Sequence, residues 1–150
     1  MALATDLSGL SDHVGEHLGW TEWREIGQDR VDLFADATDD HQWIHVDRER
    51  AADSPFGGTI AHGYLTLALT APALGELMHV DGVAMGINYG LDRVRFPAPV
   101  PVGSRVRAGA ELAEVSEIPG GVQSKLVVTF EIENGDKPAC VAEVLVRQYA

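Results

Sequence analysis

The second half of the chain alternates apolar and polar residues. Residues 104–116 set Val106, Ala108, Ala110 and Leu112 against Arg105, Arg107 and Glu111. Residues 122–133 set Leu126, Val128, Phe130 and Ile132 against Lys125, Thr129, Glu131 and Glu133. Residues 140–147 repeat the pattern with Ala142, Val144 and Val146 against Glu143 and Arg147. A period of two means one buried face and one wet face, the mark of an antiparallel sheet. Gly120-Gly121 and Asn134-Gly135 fit as the hairpin turns between these strands. An earlier strand is predicted from Ile87 to Phe96, ended by the series Pro97, Pro99 and Pro101.

The first half reads as helices joined by loops. Residues 28–37 place Val31, Leu33, Phe34 and Ala37 on roughly one helical face. Asp47 to Asp53 is a short polar helix stopped by Ser54-Pro55, after which Phe56-Gly57-Gly58 makes a turn and Thr59-Ile60 a brief strand. From His62 to Met78, the apolar residues Leu65, Leu69, Ala73 and Leu77 recur at i, i+4. Tyr64, Leu67, Ala68, Ala71, Leu74 and Met78 fill most of the remaining circumference. A helix apolar nearly all round is a buried one, and Pro72 should kink it. One long buried helix followed by a meander predicts a sheet wrapped around that helix. The class is α+β.

Composition narrows this picture. The 150 residues, 45% of them hydrophobic, suffice for one core and one domain spanning 1–150, with residues 1–20 as a helical or loop extension. Lys and Arg number 11 against 23 Asp and Glu, a net charge of −12. That balance argues against nucleic acid and against anionic membrane surfaces, both of which need clustered cations. Cys140 stands alone, which excludes an internal disulfide and any multi-cysteine metal site. Residues 1–20 lack a basic start and a long apolar run, so they do not read as a signal peptide. The stretch Tyr64 to Met78 is shorter than the ~20 residues that span a bilayer. The expectation is a soluble, cytoplasmic protein.

Candidate chemistry gathers before the long helix, in Thr38, Asp39, Asp40, His41, Gln42, Trp43, Ile44 and His45. Five residues along a regular helix turn about 140° past one full revolution, so there Asp40 and His45 could not face one substrate. If they share chemistry, they sit on a loop or at a helix end. A carboxylate and an imidazole converging on one point can hold and deprotonate a water. Equally, Asp40 can cap a neighbouring helix while His45 is a surface or core histidine. His41 and His45 have the i, i+4 spacing of a zinc-binding HExxH helix, but Gln42 cannot be a general base and no third ligand is evident. No metal is expected.

The second constellation is Phe56-Gly57-Gly58-Thr59-Ile60-Ala61-His62-Gly63-Tyr64. Glycine just inside the start of a buried helix leaves N–H groups uncovered at the positive end of the helix dipole. A carbonyl placed there would have its developing negative charge stabilised. The glycines can equally serve only a tight turn and close packing. There is no GK[ST] of a P-loop and no G-x-S-x-G elbow of a serine hydrolase.

Taken together, D-x-x-x-x-H (Asp40 to His45) followed by F-G-x-x-I-A-H-G (Phe56 to Gly63) resembles the MaoC-like, (R)-specific enoyl-CoA hydratase family of hot-dog folds. The stretch Ile87 to Arg107 and the long strands after it fit the same family, so the resemblance covers about residues 25–149. The Gln42-Trp43-Ile44-His45 form is similar to the nodulation protein N-like branch. Many hydratases of the family have Asn-Pro where this chain has Gln42-Trp43, which bears on loop shape and substrate fit.

The resemblance implies that Asp40 and His45 are catalytic, gripping a water for addition to C3 of a trans-2-enoyl thioester while a proton reaches C2. The product is an (R)-3-hydroxyacyl thioester, and the reverse reaction is a dehydration. It implies Gly63 N–H as the donor to the thioester carbonyl, and Gln42, His62 and Tyr64 as substrate-binding. Which of Asp40 and His45 formally takes the proton stays open. No cofactor is implied beyond the coenzyme A of the acyl-CoA substrate. A homodimer is implied, which also removes a long lone sheet edge. Arg93, Arg95, Arg105, Arg107 and Lys125 are available for coenzyme A phosphates, although alternation explains each as a solvated strand face. Trp20, Trp23 and Trp43 read as packing residues and Cys140 as a buried strand residue. The alternatives are a hot-dog thioesterase and a non-catalytic acyl-thioester-binding protein.

Overall fold

A computed structural model describes residues 2–150. The sheet is built from β2 (His17–Trp20), β3 (Arg24–Glu25), β5 (Met85–Arg95), β6 (Arg105–Ile118), β7 (Gly121–Ile132) and β8 (Cys140–Tyr149). Its order is β2-β6-β7-β8-β5, with β3 also paired to β6, and every pairing in it is antiparallel. A separate parallel pair joins β1 (Leu3–Asp6) to β4 (Met78–Asp81). The expected meander is present because the period-two stripe of each strand points one way. Val106, Ala108, Ala110, Leu112, Leu126, Val128, Phe130, Ala142 and Val144 form one buried face.

Against that face lie α4 (Gly63–Ala68) on β8 and α5 (Thr70–Leu77) on β6, through Leu65, Ala73, Leu74 and Leu77. The single helix expected from His62 to Met78 is therefore two, interrupted at Leu69. The interruption precedes Pro72 by one turn. A proline ring clashes with the carbonyl four residues back, here Ala68, and supplies no N–H to it, so the helix re-forms only after that point. The expectation of burial all round also fails. Tyr64 is 71% exposed, and Ala68, Ala71 and Gly75 are exposed as well, because the sheet covers only one side of the pair.

Three further expectations are corrected. Residues 2–20, expected within a helical or loop extension, are not one. They supply β1, β2 and a 3-10 turn over Leu10–His13, and Leu10 and Leu18 are in the core. In α1 (Gln28–Thr38) the inward stripe is Gln28, Val31 and Ala35, with Leu33 69% exposed. Leu33 lies 200° from Val31 at ~100° per residue and cannot share its face. The β6–β7 turn is Pro119-Gly120, and Gly121 already pairs with Ile118. Glycine at 120 is required there, since its φ is +82°. The short polar helix is α3 (Arg48–Ala52), capped by Asp47 accepting from the Arg50 N–H at 3.1 Å.

Candidate active site

Asp40 lies in the loop that leaves α1, directly after Asp39, which takes the left-handed φ of +61° and turns the chain. His45 sits in a four-residue helical turn, α2 (Trp43–Val46). Because neither belongs to one regular helix, the five-residue spacing no longer holds them apart. One carboxylate oxygen of Asp40 and one ring nitrogen each of His45 and His62 all lie within 4.8 Å of one another. Asp40 does not cap α2 in any strong sense, since its carboxylate accepts only a 3.4 Å contact from the Gln42 N–H. Its side chain is 51% exposed, while His45 and His62 are 7% and 3% exposed.

Each imidazole is fixed by a backbone carbonyl. His45 Nδ1 lies 2.6 Å from the Ile60 carbonyl oxygen, which can only accept, so Nδ1 carries the proton and Nε2 keeps a lone pair. His62 Nε2 donates to the Asp40 carbonyl oxygen at 2.9 Å and lies 3.9 Å from its carboxylate. The His62 ring is stacked on His45 at 3.8 Å between centroids and packed by Phe34 from another side. Its Nδ1 is buried without a hydrogen-bond partner. Burial pushes the His45 pKa below the usual imidazole value; the Ile60 carbonyl opposes this, the His62 ring adds to it and the Asp40 charge opposes it. The neutral ring is the resting form, with Nε2 ready to accept.

The three side chains have the composition of a metal site, with one ligand atom from each within 4.8 Å of the others. The two imidazole rings stack 25° from parallel. His41, the other histidine of the i, i+4 pair, instead contacts the Asp36 carboxylate at 2.8 Å.

Gly63 is the first residue of α4, so its N–H has no acceptor within the helix, and it follows His62, which is tied to the Asp40 carbonyl. A Cβ there would come within 3.2 Å of the Phe96 ring. The start of α4 thus directly follows the histidine that contacts both Asp40 and His45. The arrangement can polarise a carbonyl and move a proton near it.

Comparisons with known proteins give the chain a family. Residues 10–134 match the MaoC like domain. The chain belongs to the MaoC-like domain family. It is 54% identical over 145 residues to 3-hydroxyacyl-thioester dehydratase Z of Mycobacterium tuberculosis, covering 96% of each chain. It is 50% identical over 142 residues to nodulation protein N of Rhizobium leguminosarum bv. viciae, covering 91% of this chain and 86% of that one. Among solved structures, it resembles the (R)-hydratase from A. caviae involved in PHA biosynthesis, with a TM-score of 0.74 and 27% identity over 89% of this chain and 94% of that one. The hot-dog fold of these MaoC-like hydratases is the fold described above.

Within this MaoC-like chain the other expected site residues separate. Gln42 and Tyr64 are exposed, with Tyr64 edge-on to Phe96 at 6.2 Å. The buried His62 ring presents no open side chain to a substrate; it holds the Asp40 backbone and His45. Of the five cations considered for phosphate binding, three are ion-paired on the outer sheet face: Arg105 with Glu133, Arg107 with Glu131, and Lys125 with Asp92 and Glu114. Arg107 is also sandwiched between Trp20 and Trp23. Trp43 lies under the Arg50 guanidinium at 4.2 Å.

Sequence reasoning missed Gln28, Thr59 and the Ile60 carbonyl, which hold His45 from behind. Gln28 had a signal, a polar residue on the inward stripe of α1. Carbonyls have none, since every residue carries one.

Proposed function

We propose that the protein is an (R)-specific enoyl-thioester hydratase and dehydratase, adding water reversibly across a trans-2-enoyl thioester. The observation that carries the reading is the convergence of Asp40 and a neutral His45 beside the free N–H at the start of α4. The relatives described above as dehydratases and (R)-hydratases support it. Asp40 and His45 are the catalytic pair. A water held between the Asp40 carboxylate and His45 Nε2 gives its oxygen to C3. Its displaced proton passes to the pair, and the pair delivers a proton to C2, so the product gains the elements of one water. The Gly63 N–H bears on the thioester oxygen, where negative charge develops, and Gln42 and Tyr64 flank the entering substrate. This is a polar addition and needs no metal or redox group. Acyl-CoA in the cytoplasm is the proposed substrate and setting.

A homodimer belongs to the same reading. Strand β5 is a sheet edge exposing Met85, Ile87, Tyr89 and Leu91, and a groove of about 240 Å³ between it and Leu67, Ala68 and Ala71 is apolar. A second copy would cover that edge. Among the described residues, no helix is long and apolar enough to cross a membrane.

The test is the ultraviolet band of crotonyl-CoA and of a longer trans-2-enoyl-CoA. Loss of the conjugated enoyl thioester without free thiol, lowered about 10²–10⁴-fold in Asp40→Asn and His45→Gln, is expected. Thiol release without hydration would assign a thioesterase instead. An unchanged band on both substrates would leave a binding protein.

A further inference from the structure

Behind His45 lies a buried amide whose every contact is fixed by chemistry. Gln28, the first residue of α1, is 8% exposed. Its Nε2 donates to the His45 carbonyl oxygen at 2.7 Å and to the Asp32 carboxylate at 2.9 Å, while its Oε1 accepts from the Thr59 hydroxyl at 2.6 Å. The carbonyl and the carboxylate are acceptors only, so the amide cannot be turned round. Thr59 precedes Ile60, whose carbonyl holds the His45 ring, and the Ile60 N–H in turn donates to the Ile44 carbonyl at 3.0 Å. One side chain therefore joins the backbone of His45 to the segment that carries the acceptor of its Nδ1 proton. The ring is set from both ends through Gln28.

We infer that Gln28 is a positioning residue for the acid–base pair, fixing the direction of His45 Nε2 by tying the His45 carbonyl to Thr59. The inference rests on the hydratase reading above. Gln28 does not touch substrate. Its removal strands a buried carbonyl and a buried hydroxyl, and lets segments 42–46 and 59–60 shift independently. A displacement of ~1 Å at a reacting group can cost about 100-fold. The loss is therefore expected in kcat, with KM little changed, because Gln28 acts only through His45 and Thr59. Carboxylate for amide at the same shape is worse, since Gln28→Glu opposes the His45 carbonyl and Asp32 with a third acceptor.

The experiment compares Gln28→Met, Gln28→Glu, Thr59→Val and Thr59→Ser with the parent protein. Crotonyl-CoA hydration and nitrogen NMR of the histidine rings are the readouts. For Gln28→Met, kcat is expected to fall about 10- to 100-fold with KM within about twofold, and Gln28→Glu to fall further. His45 should show one Nδ1–H tautomer in the parent and a tautomer mixture in Gln28→Met. Thr59→Ser keeps the hydroxyl and should keep activity, whereas Thr59→Val should lose part of it. If Gln28→Met does not fold, Thr59→Val carries the test, since it leaves the amide in place. Full kcat in Gln28→Met, or in Thr59→Val where that variant stands alone, overturns the inference. An unchanged His45 tautomer does the same, and that readout needs no turnover. Asp40→Asn and His45→Gln are run beside them. If those stay active, the catalytic assignment itself fails; if they are dead while Gln28→Met is fully active, only the role of Gln28 fails.

Discussion

A histidine that accepts a proton at neutral pH must remain unprotonated until substrate arrives. His45 meets that demand chiefly through burial, with the His62 ring adding and the Ile60 carbonyl and Asp40 charge opposing. Its pKa in the fold lies below the ordinary 6.5, so the acid limb of kcat/KM should fall below pH 6.5. A profile centred at or above 6.5 would remove His45 from the proposed pair. Stability follows with a definite sign. In the unfolded chain His45 returns to its ordinary pKa, so between 6.5 and the lower folded value the unfolded state binds more protons. The contribution is fully present above pH 6.5 and is lost as pH falls through the folded pKa. Denaturant midpoints should therefore drop more steeply over that window in the parent than in His45→Gln. At this scale residue types and spacing left Asp40 and His45 open between a cap with a core histidine and a reacting pair, and only the two-part motif, through its resemblance to the MaoC-like family, singled them out. Gln28 was not legible, because it was assigned to no buried stripe once Leu33 had been placed on one. Cys140 is the opposite case: burial pushes its thiol up to about 11, matching a plain core residue in β8.

Strands were more legible than helices because alternation reports one buried face directly, and the boundaries of β5 to β8 fall within a few residues of the pattern. Helical content between His62 and Met78 was equally clear, while the break at Leu69 depended on where the Pro72 ring points rather than on hydropathy. What the pattern could not give is how closely neighbouring strands approach. A Cβ on Gly121 would lie 2.0 Å from the Gln148 backbone oxygen, whereas one on Gly109 would meet the Trp20 ring at 2.7 Å. Backbone held in a ladder cannot yield, but an indole half on the surface can swing aside. Gly109→Ala should cost about 1–3 kcal/mol and Gly121→Ala more, with β8 pushed from β7. Thermal unfolding of the two variants checks the order, and equal stability would show that the β7–β8 start relaxes freely. Asp39 gives the reverse prediction. Its left-handed φ of +61° is costly for a residue with a Cβ, so Asp39→Gly should stabilise the fold by up to about 1 kcal/mol without moving Asp40.

At the scale of the whole molecule, the pattern that looked like a helix buried on all sides is the most informative failure. Ala68 and Ala71 are exposed and Leu67 is only half-buried, and the neighbouring β5 presents both an open edge and exposed large side chains. The burial expected all round is thus unmet within one chain. If a second copy completes it, the contact is two-fold symmetric and each substitution counts twice. Charging one buried apolar position costs at least ~2 kcal/mol, hence ~4 kcal/mol per dimer, or about a thousandfold in Kd. Leu91→Arg should therefore move the sedimenting mass to that of one chain at micromolar protein, whereas Glu143→Arg on the outer sheet face should not. A net charge of −12 adds a second signature, since two like-charged copies repel. The parent dimer should tighten as salt rises, the reverse of a contact held by ion pairs. A species of unchanged mass in Leu91→Arg would place the partner elsewhere and leave β5 as an edge that the fold tolerates.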